Sequence, residues 1–188
     1  MAFLPFYESI MFVIGFFSLG VLLIGLQTTL FMVNPLWNAS PDFYFVLVAY
    51  LAYRHDLFRS LIILFPLGLI FDVLSGVLLG MYPALFILGF LLLKFMASHL
   101  PVRESLYQVP MIGVSYLLVN WLVYVFMSFA SESLLVPWSW PVMLMRAGLV
   151  ILCAFPLFRV FEFFNRRIEG KISPLHKMRL RSGNRYRE

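Results

Sequence analysis

Six apolar runs, separated by short polar or turn-forming breaks, organise this chain. A membrane-crossing helix needs about 20 predominantly apolar residues. The runs at residues 9–33, 60–81, 84–100, 108–130 and 142–161 approach or exceed that length. The first closes at the turn-like pair Asn34 and Pro35. The remaining run, residues 42–53, gives only twelve positions before Arg54, His55 and Asp56. Ser40 and Pro41 precede it as an N-cap and a first-turn proline. This pattern predicts either a short, tilted, buried span or one that begins at the interface near Trp37.

The basic residues orient these runs. On one side fall Arg54 and Arg59, then Arg103, then Arg159 at the end of the last run and eight more Lys and Arg in the tail. The connections on the other side, residues 34–41, 82–83 and 131–141, contain none. Positive charge is retained on the cytoplasmic side of membrane proteins, which predicts six crossings with both termini cytoplasmic. Dropping the short second run would strand the basic tail outside. Trp138 and Trp140, between the last two runs, suit aromatic anchors at the opposite interface. The expected organisation is one transmembrane bundle over residues 1–161 and a basic cytoplasmic tail over 162–188. The N-terminal MAFLPFYESIMFVIG lacks a basic n-region and a small-residue cleavage site, so its apolar run is expected to stay in the mature protein.

Composition agrees with this organisation. Of 188 residues, 62% are hydrophobic and 12% charged, against roughly 25% charged in an ordinary soluble domain. A soluble core of this size cannot hide so much apolar surface, so the chain is expected to be an all-α integral membrane protein. The single cysteine, Cys153, excludes an intramolecular disulfide and a cysteine-based metal cluster.

Apart from Asp42 and Arg159 at run ends, three charged residues fall inside the runs: Asp72, Lys94 and Arg146. Asp72 is the only charge between Arg59 and Lys94. A central charge in a membrane helix costs roughly 2.5–3.5 kcal/mol on insertion scales and is normally turned inward and paired. Asp72 and Lys94 are equidistant in sequence from a turn at Tyr82 and Pro83. In an antiparallel hairpin that spacing brings them to one depth as partners. A proton- or ligand-linked role and contact with another protein's helix are the alternatives for Asp72. Arg146 lies close to the outer end of its run, where it can snorkel to the interface or pair with Glu132 or Asp72. Gly68, Asp72, Gly76 and Gly80 recur every four residues with Ser75 beside them, predicting a helix face of small residues that packs internally or binds a partner helix.

Catalytic chemistry has no visible seat. His55, His99 and His176 lie far apart, at or beyond run ends, with no cysteine or carboxylate at metal-ligand spacing. Neither a phosphate-binding glycine loop nor a serine elbow is present, so no cofactor or enzymatic activity is expected. Gln27, Thr28, Thr29, Ser115 and Asn120 suit hydrogen bonds between helices, and Asn120 with Trp121 is a candidate lining for a small cavity. In the tail, eight basic residues against three acidic ones suit anionic lipid headgroups better than nucleic acid. Phe161, Phe164, Ile168 and Ile172 recur at near-helical spacing, predicting an amphipathic extension along the membrane that ends at Pro174.

The stretch SPDFYFVLVAYLAYR, a basic turn, and then FPLGLIFDVLSGVLLGMYPALFILGFLL resembles the bacterial rod shape-determining protein family MreD. The residues that carry the likeness are Pro41 and Asp42 before the second run, then Gly68, Leu69, Asp72, Gly76, Leu79 and Gly80. The likeness is densest over residues 40–98. It implies a non-enzymatic inner-membrane subunit of the cell-elongation complex that binds MreC, a single-span protein with a periplasmic domain. The actin-like MreB and the RodA–transpeptidase pair would be its wider partners. The family is also similar in fold to the substrate-binding subunits of energy-coupling-factor transporters, which leaves a vitamin-like small-molecule-binding subunit as the other reading.

Overall fold

The computed structural model describes residues 3–32, 42–76, 80–99, 105–130 and 138–182. Among these residues the chain forms six helices and no strand: α1 (Phe3–Met32), α2 (Phe43–Arg54), α3 (Leu57–Ser75), α4 (Met81–His99), α5 (Ser105–Ala130) and α6 (Trp140–Ser182). Four stretches, Ile10–Thr29, Leu57–Ser75, Met81–Ser98 and Trp140–Ile168, are long and apolar enough to cross a membrane. Phe43–Arg54 and Pro110–Val125 are apolar but shorter. The chain is an all-helical, multi-pass membrane protein.

The shortest helix lies at the centre. Every residue of α2 from Tyr44 to Ala52 is buried, and α2 packs against all five other helices. A helix of twelve residues is roughly 18 Å long, well short of a hydrocarbon core of about 30 Å. Because FYFVLVAYLAYR has no polar side to turn outward, the segment is stable only when other helices enclose it completely. Aromatic pairs fix its rotation: Tyr50 stacks on Phe16 at 5.8 Å, Tyr44 on Phe86 at 5.0 Å, and Phe45 meets Tyr116 edge-on at 5.2 Å. Such pairs add about 0.5–1.5 kcal/mol each beyond the area they bury.

The hairpin of α3 and α4 differs from the sequence expectation. The chain leaves α3 after Ser75, where Gly76 adopts a left-handed C-cap (φ 65°) and donates its N–H to the Asp72 carbonyl at 3.0 Å. Gly80 is also left-handed (φ 97°), and α4 starts at Met81. Gly76 and Gly80 therefore make the turn, and the four-residue stripe is not one helical face. Pro83 falls in the first turn of α4, where a missing N–H leaves no helical hydrogen bond unmade. Gly68 is the close-approach position: a Cβ there would stand 2.6 Å from the Cα and N of Pro83. Gly68→Ala is therefore expected to wedge the hairpin and cost about 1–3 kcal/mol. Unfolding midpoints in mixed micelles would measure this, with Gly25→Ala as a neutral control because nothing lies within 4 Å of that position.

The last helix also exceeds its sequence-based bounds. α6 runs unbroken from Trp140 to Ser182, so Pro174 lies inside it rather than at its end. Packing within the bundle continues past residue 161. Phe161, Asn165 and Ile168 are buried. Ile168 Cδ1 approaches to 2.8 Å from where a Cβ on Gly15 would sit, and Phe164 meets Phe16 edge-on at 5.9 Å. The near-helical spacing of Phe161, Phe164 and Ile168 thus serves packing on α1 and α2.

Candidate functional site

The polar side chains inside the bundle collect in two layers. The first is built on Asp42, the residue that immediately precedes α2. Asp42 makes no side-chain cap to its own helix. It is buried, and its Oδ1 accepts from Gln27 Nε2 of α1 at 3.2 Å, while its Oδ2 accepts a short hydrogen bond from the Tyr116 hydroxyl of α5. Gln27 Oε1 in turn accepts from the Phe43 N–H at 3.1 Å, so one glutamine holds both the carboxylate and the first amide of α2. Arg146 of α6 faces the same group and interacts electrostatically with Asp42 and Tyr116. The Tyr44 hydroxyl also hydrogen-bonds Asp42. One carboxylate ties α1 and α5 to the start of α2, with Arg146 of α6 as a nearby opposite charge.

Asp72 belongs to the same end of the bundle and does a different job. Its Oδ2 accepts from the Gly80 N–H at 2.6 Å and its Oδ1 from the Tyr82 N–H at 2.9 Å. A carboxylate on the last turn of α3 thereby satisfies amide donors at the start of α4 that no helical carbonyl can reach, and its charge suits the positive end of the helix dipole. Ser75 folds back onto its own helix, donating to the Phe71 carbonyl at 2.8 Å. The Tyr82 side chain lies near both acids and hydrogen-bonds Ser75.

The second layer lies roughly 18 Å away, at the basic end of α2. Glu162 of α6 accepts from the Tyr50 hydroxyl at 3.3 Å and forms ion pairs with Arg54 (4.0 Å) and Arg166 (3.5 Å). Lys94 of α4 donates to the His55 carbonyl at 2.5 Å. The His55 ring packs against Phe12 (4.3 Å), Phe16 (5.6 Å) and Tyr50 (5.7 Å). Burial, with Arg59, Lys94 and Arg54 reinforcing it against Asp56, pushes the His55 pKa down from 6.5 to about 4. A group whose folded pKa is depressed below its unfolded value binds fewer protons in the folded state, so its stabilising contribution is lost as pH falls. Stability should therefore decline between about pH 6.5 and about pH 4. The decline should be shallower in His55→Phe, as thermal unfolding across that range would report.

Asp72 and Lys94 consequently do not meet. The sequence expectation measured their depth from a turn at Tyr82 and Pro83, whereas α3 ends at Ser75, left-handed Gly76 and Gly80 precede α4, and Asp72 lies one helical turn before Gly76. Arg146 interacts electrostatically with Asp42 and hydrogen-bonds Tyr116. Glu132, one of its expected partners, lies outside the described residues, as do Ser40, Pro41 and Leu79. Asn120 donates to the Tyr116 carbonyl of its own helix at 2.8 Å, and Trp121 is 46% exposed on the outer surface, so the two line no common cavity. Tyr116 was not singled out by the sequence. Its signal was available, since a tyrosine hydroxyl at mid-run in a buried helix requires a partner.

No group of three or more His, Cys, Asp or Glu positioned to hold a metal occurs among the described residues. No family model matches the chain, and no curated protein or solved structure matches it.

Proposed function

We propose that this chain is a non-enzymatic subunit of the bacterial cell-elongation machinery, of the kind the MreD family supplies, acting through membrane contacts with an MreC-like single-span protein. The observation that carries the reading is the use made of the two acids in the family-like motif. Asp42 ties α1 and α5 to the start of α2, with Arg146 of α6 nearby, and Asp72 caps the α3–α4 turn. Both spend their oxygens on the chain's own donors, which suits a scaffold whose acids hold its shape. The inner membrane is the proposed location, with six crossings and cytoplasmic termini. The segregation of Arg54, Arg59, Arg103 and the tail to one end supports that orientation. The enclosure of α2 by all five neighbours supports counting it as a crossing. MreB and the RodA–transpeptidase pair are the proposed wider partners.

Gly68 and Asp72 face the chain's own α4, so the proposed MreC contact is placed on the outer, lipid-facing surface rather than on the glycine-rich turn. Depleting the protein from its host cells tests the reading. Rods that widen and round up are expected, and unchanged rods would contradict it.

A small-molecule-binding transport subunit is the second reading, favoured by one observation: a carboxylate, an arginine, an amide and several tyrosine hydroxyls converge at the end of the bundle opposite the basic layer. Native mass spectrometry separates the two readings. A metabolite retained in equal proportion with the protein belongs to the second reading alone.

A further inference from the structure

A groove of about 580 Å³ opens at the basic end of the bundle, between α2 and α4. Ala52 and Tyr53 form one wall, and Leu91, Lys94, Phe95 and Ser98 the other. The α4 residues follow one another at spacings of three and four, so they make a single stripe along the helix. Leu91 (43% exposed), nearest the membrane centre, is open apolar surface; Lys94 follows one turn nearer His99 with the exposed Phe95 (61%) beside it, and Ser98 ends the stripe. In a membrane-embedded helix, open apolar surface of this kind meets acyl chains.

Lys94 is the one charged group of the lining. Its ammonium has three N–H donors, one of which is held by the His55 carbonyl at 2.5 Å, so the side chain is fixed in place with donors to spare. The Ser98 hydroxyl donates to the Phe95 carbonyl at 2.8 Å, leaving the ammonium as the anion-binding group. Charges near the mouth reinforce it. Arg54, Arg59 and Lys94 all act on His55, against a single acid, Asp56. Arg54 is partly engaged by Glu162, while Arg59 is exposed.

We propose that this groove is a binding site for an anionic phospholipid of the leaflet at the basic end. Its phosphate sits on Lys94 with Phe95 beside the headgroup, and the first part of one acyl chain lies along Leu91. The order of chemistry along α4, from apolar Leu91 nearer the membrane centre, through Lys94 with Phe95 beside it, to Ser98 nearer the surface, suits a lipid in the leaflet. A soluble anion would gain nothing from the apolar half. The site is separate from the general attraction of the α6 tail for acidic membranes, because it is a shaped cavity with one fixed cation.

Titrating full-length protein in neutral detergent with phosphatidylglycerol or phosphatidylcholine, read by native mass spectrometry, tests the site. Wild type should retain phosphatidylglycerol in preference to phosphatidylcholine. A basic residue near an anionic lipid surface contributes about 1 kcal/mol, so Lys94→Gln, which keeps a donor for the His55 carbonyl, should lose that preference by about fivefold. Ala97→Leu, which fills the groove from its lining, should weaken both lipids without altering their ratio. The double variant Lys177→Gln/Arg179→Gln, confined to the tail, should leave the preference intact. Equal retention of the two lipids by wild type would overturn the proposal. So would a preference that survives Lys94→Gln or vanishes in the tail variant. Displacement of phosphatidylglycerol by millimolar inorganic phosphate would instead assign the site to a soluble anion.

Discussion

Asp42→Ala is expected to be among the most destabilising single substitutions in the molecule, at about 3–5 kcal/mol. The estimate rests on what the change leaves behind. Gln27 Nε2 and the Tyr116 hydroxyl lose their acceptor, and Arg146 loses the opposite charge it faces. Removing one member of a buried charged network costs more than the network contributes as a whole, because the remaining members stay desolvated and unanswered. Asp42→Asn should fall between wild type and Ala, since the amide keeps volume and one acceptor but not the charge. Tyr116→Phe removes a single donor and should cost about 1–2 kcal/mol. In the double variant Asp42→Ala/Arg146→Met part of the loss should return, because the orphaned cation is gone. Reversible unfolding in mixed micelles is the measurement. The outcome also bears on function. If Asp42 were held in readiness for a ligand, its removal should leave stability unchanged or raised, as binding groups commonly trade stability for activity.

Asp72→Ala is expected to rank second, at about 3 kcal/mol, because two charge-assisted hydrogen bonds are lost and a hydrogen bond to a charged group contributes roughly 1.5–3 kcal/mol. The Gly80 and Tyr82 amides have no alternative acceptor at the start of α4. Asp72→Asn should be milder, retaining one acceptor. The pairing first suggested by sequence makes a different prediction, namely that Lys94→Met rescues Asp72→Asn. With Lys94 on the His55 carbonyl and Asp72 on the α4 amides, the two effects should add to within about 0.5 kcal/mol. A larger recovery would show that the charges meet after all.

The contrast between these acids shows what the sequence makes legible. Each of its six apolar runs overlaps one of the six helices among the described residues, and the short run at residues 42–53 maps onto a central helix shifted by one position. Hydrophobic length and the lack of a polar side were enough for that. The α3–α4 turn was misplaced because glycines at four-residue spacing read equally as a packing stripe or as left-handed turn positions. Periodicity alone cannot separate the two, whereas the C-terminal position of Gly76 could have. Asp42 was marked by a motif, but its partners were not. Tyr116 and Arg146 lie 74 and 104 positions away in sequence, and only the tertiary fold brings them to it. The length of α6 was hidden by Pro174, read as a stop; the apolar spacing of Phe161, Phe164 and Ile168 was legible, but spacing does not say whether such a stripe lies along the membrane or packs on neighbouring helices.

A bundle whose motif acids are committed to its own architecture is free to act through its outer surface, and that is the core of the functional account. Tagged full-length chain, co-expressed with the MreC-like single-span protein of its host and purified in mild detergent, should elute with that partner at a fixed ratio. The bundle should carry no retained metabolite by native mass spectrometry. Elution of the chain alone, with a small molecule bound in equal proportion, would contradict the account and move the acids around Asp42 from scaffold to ligand site.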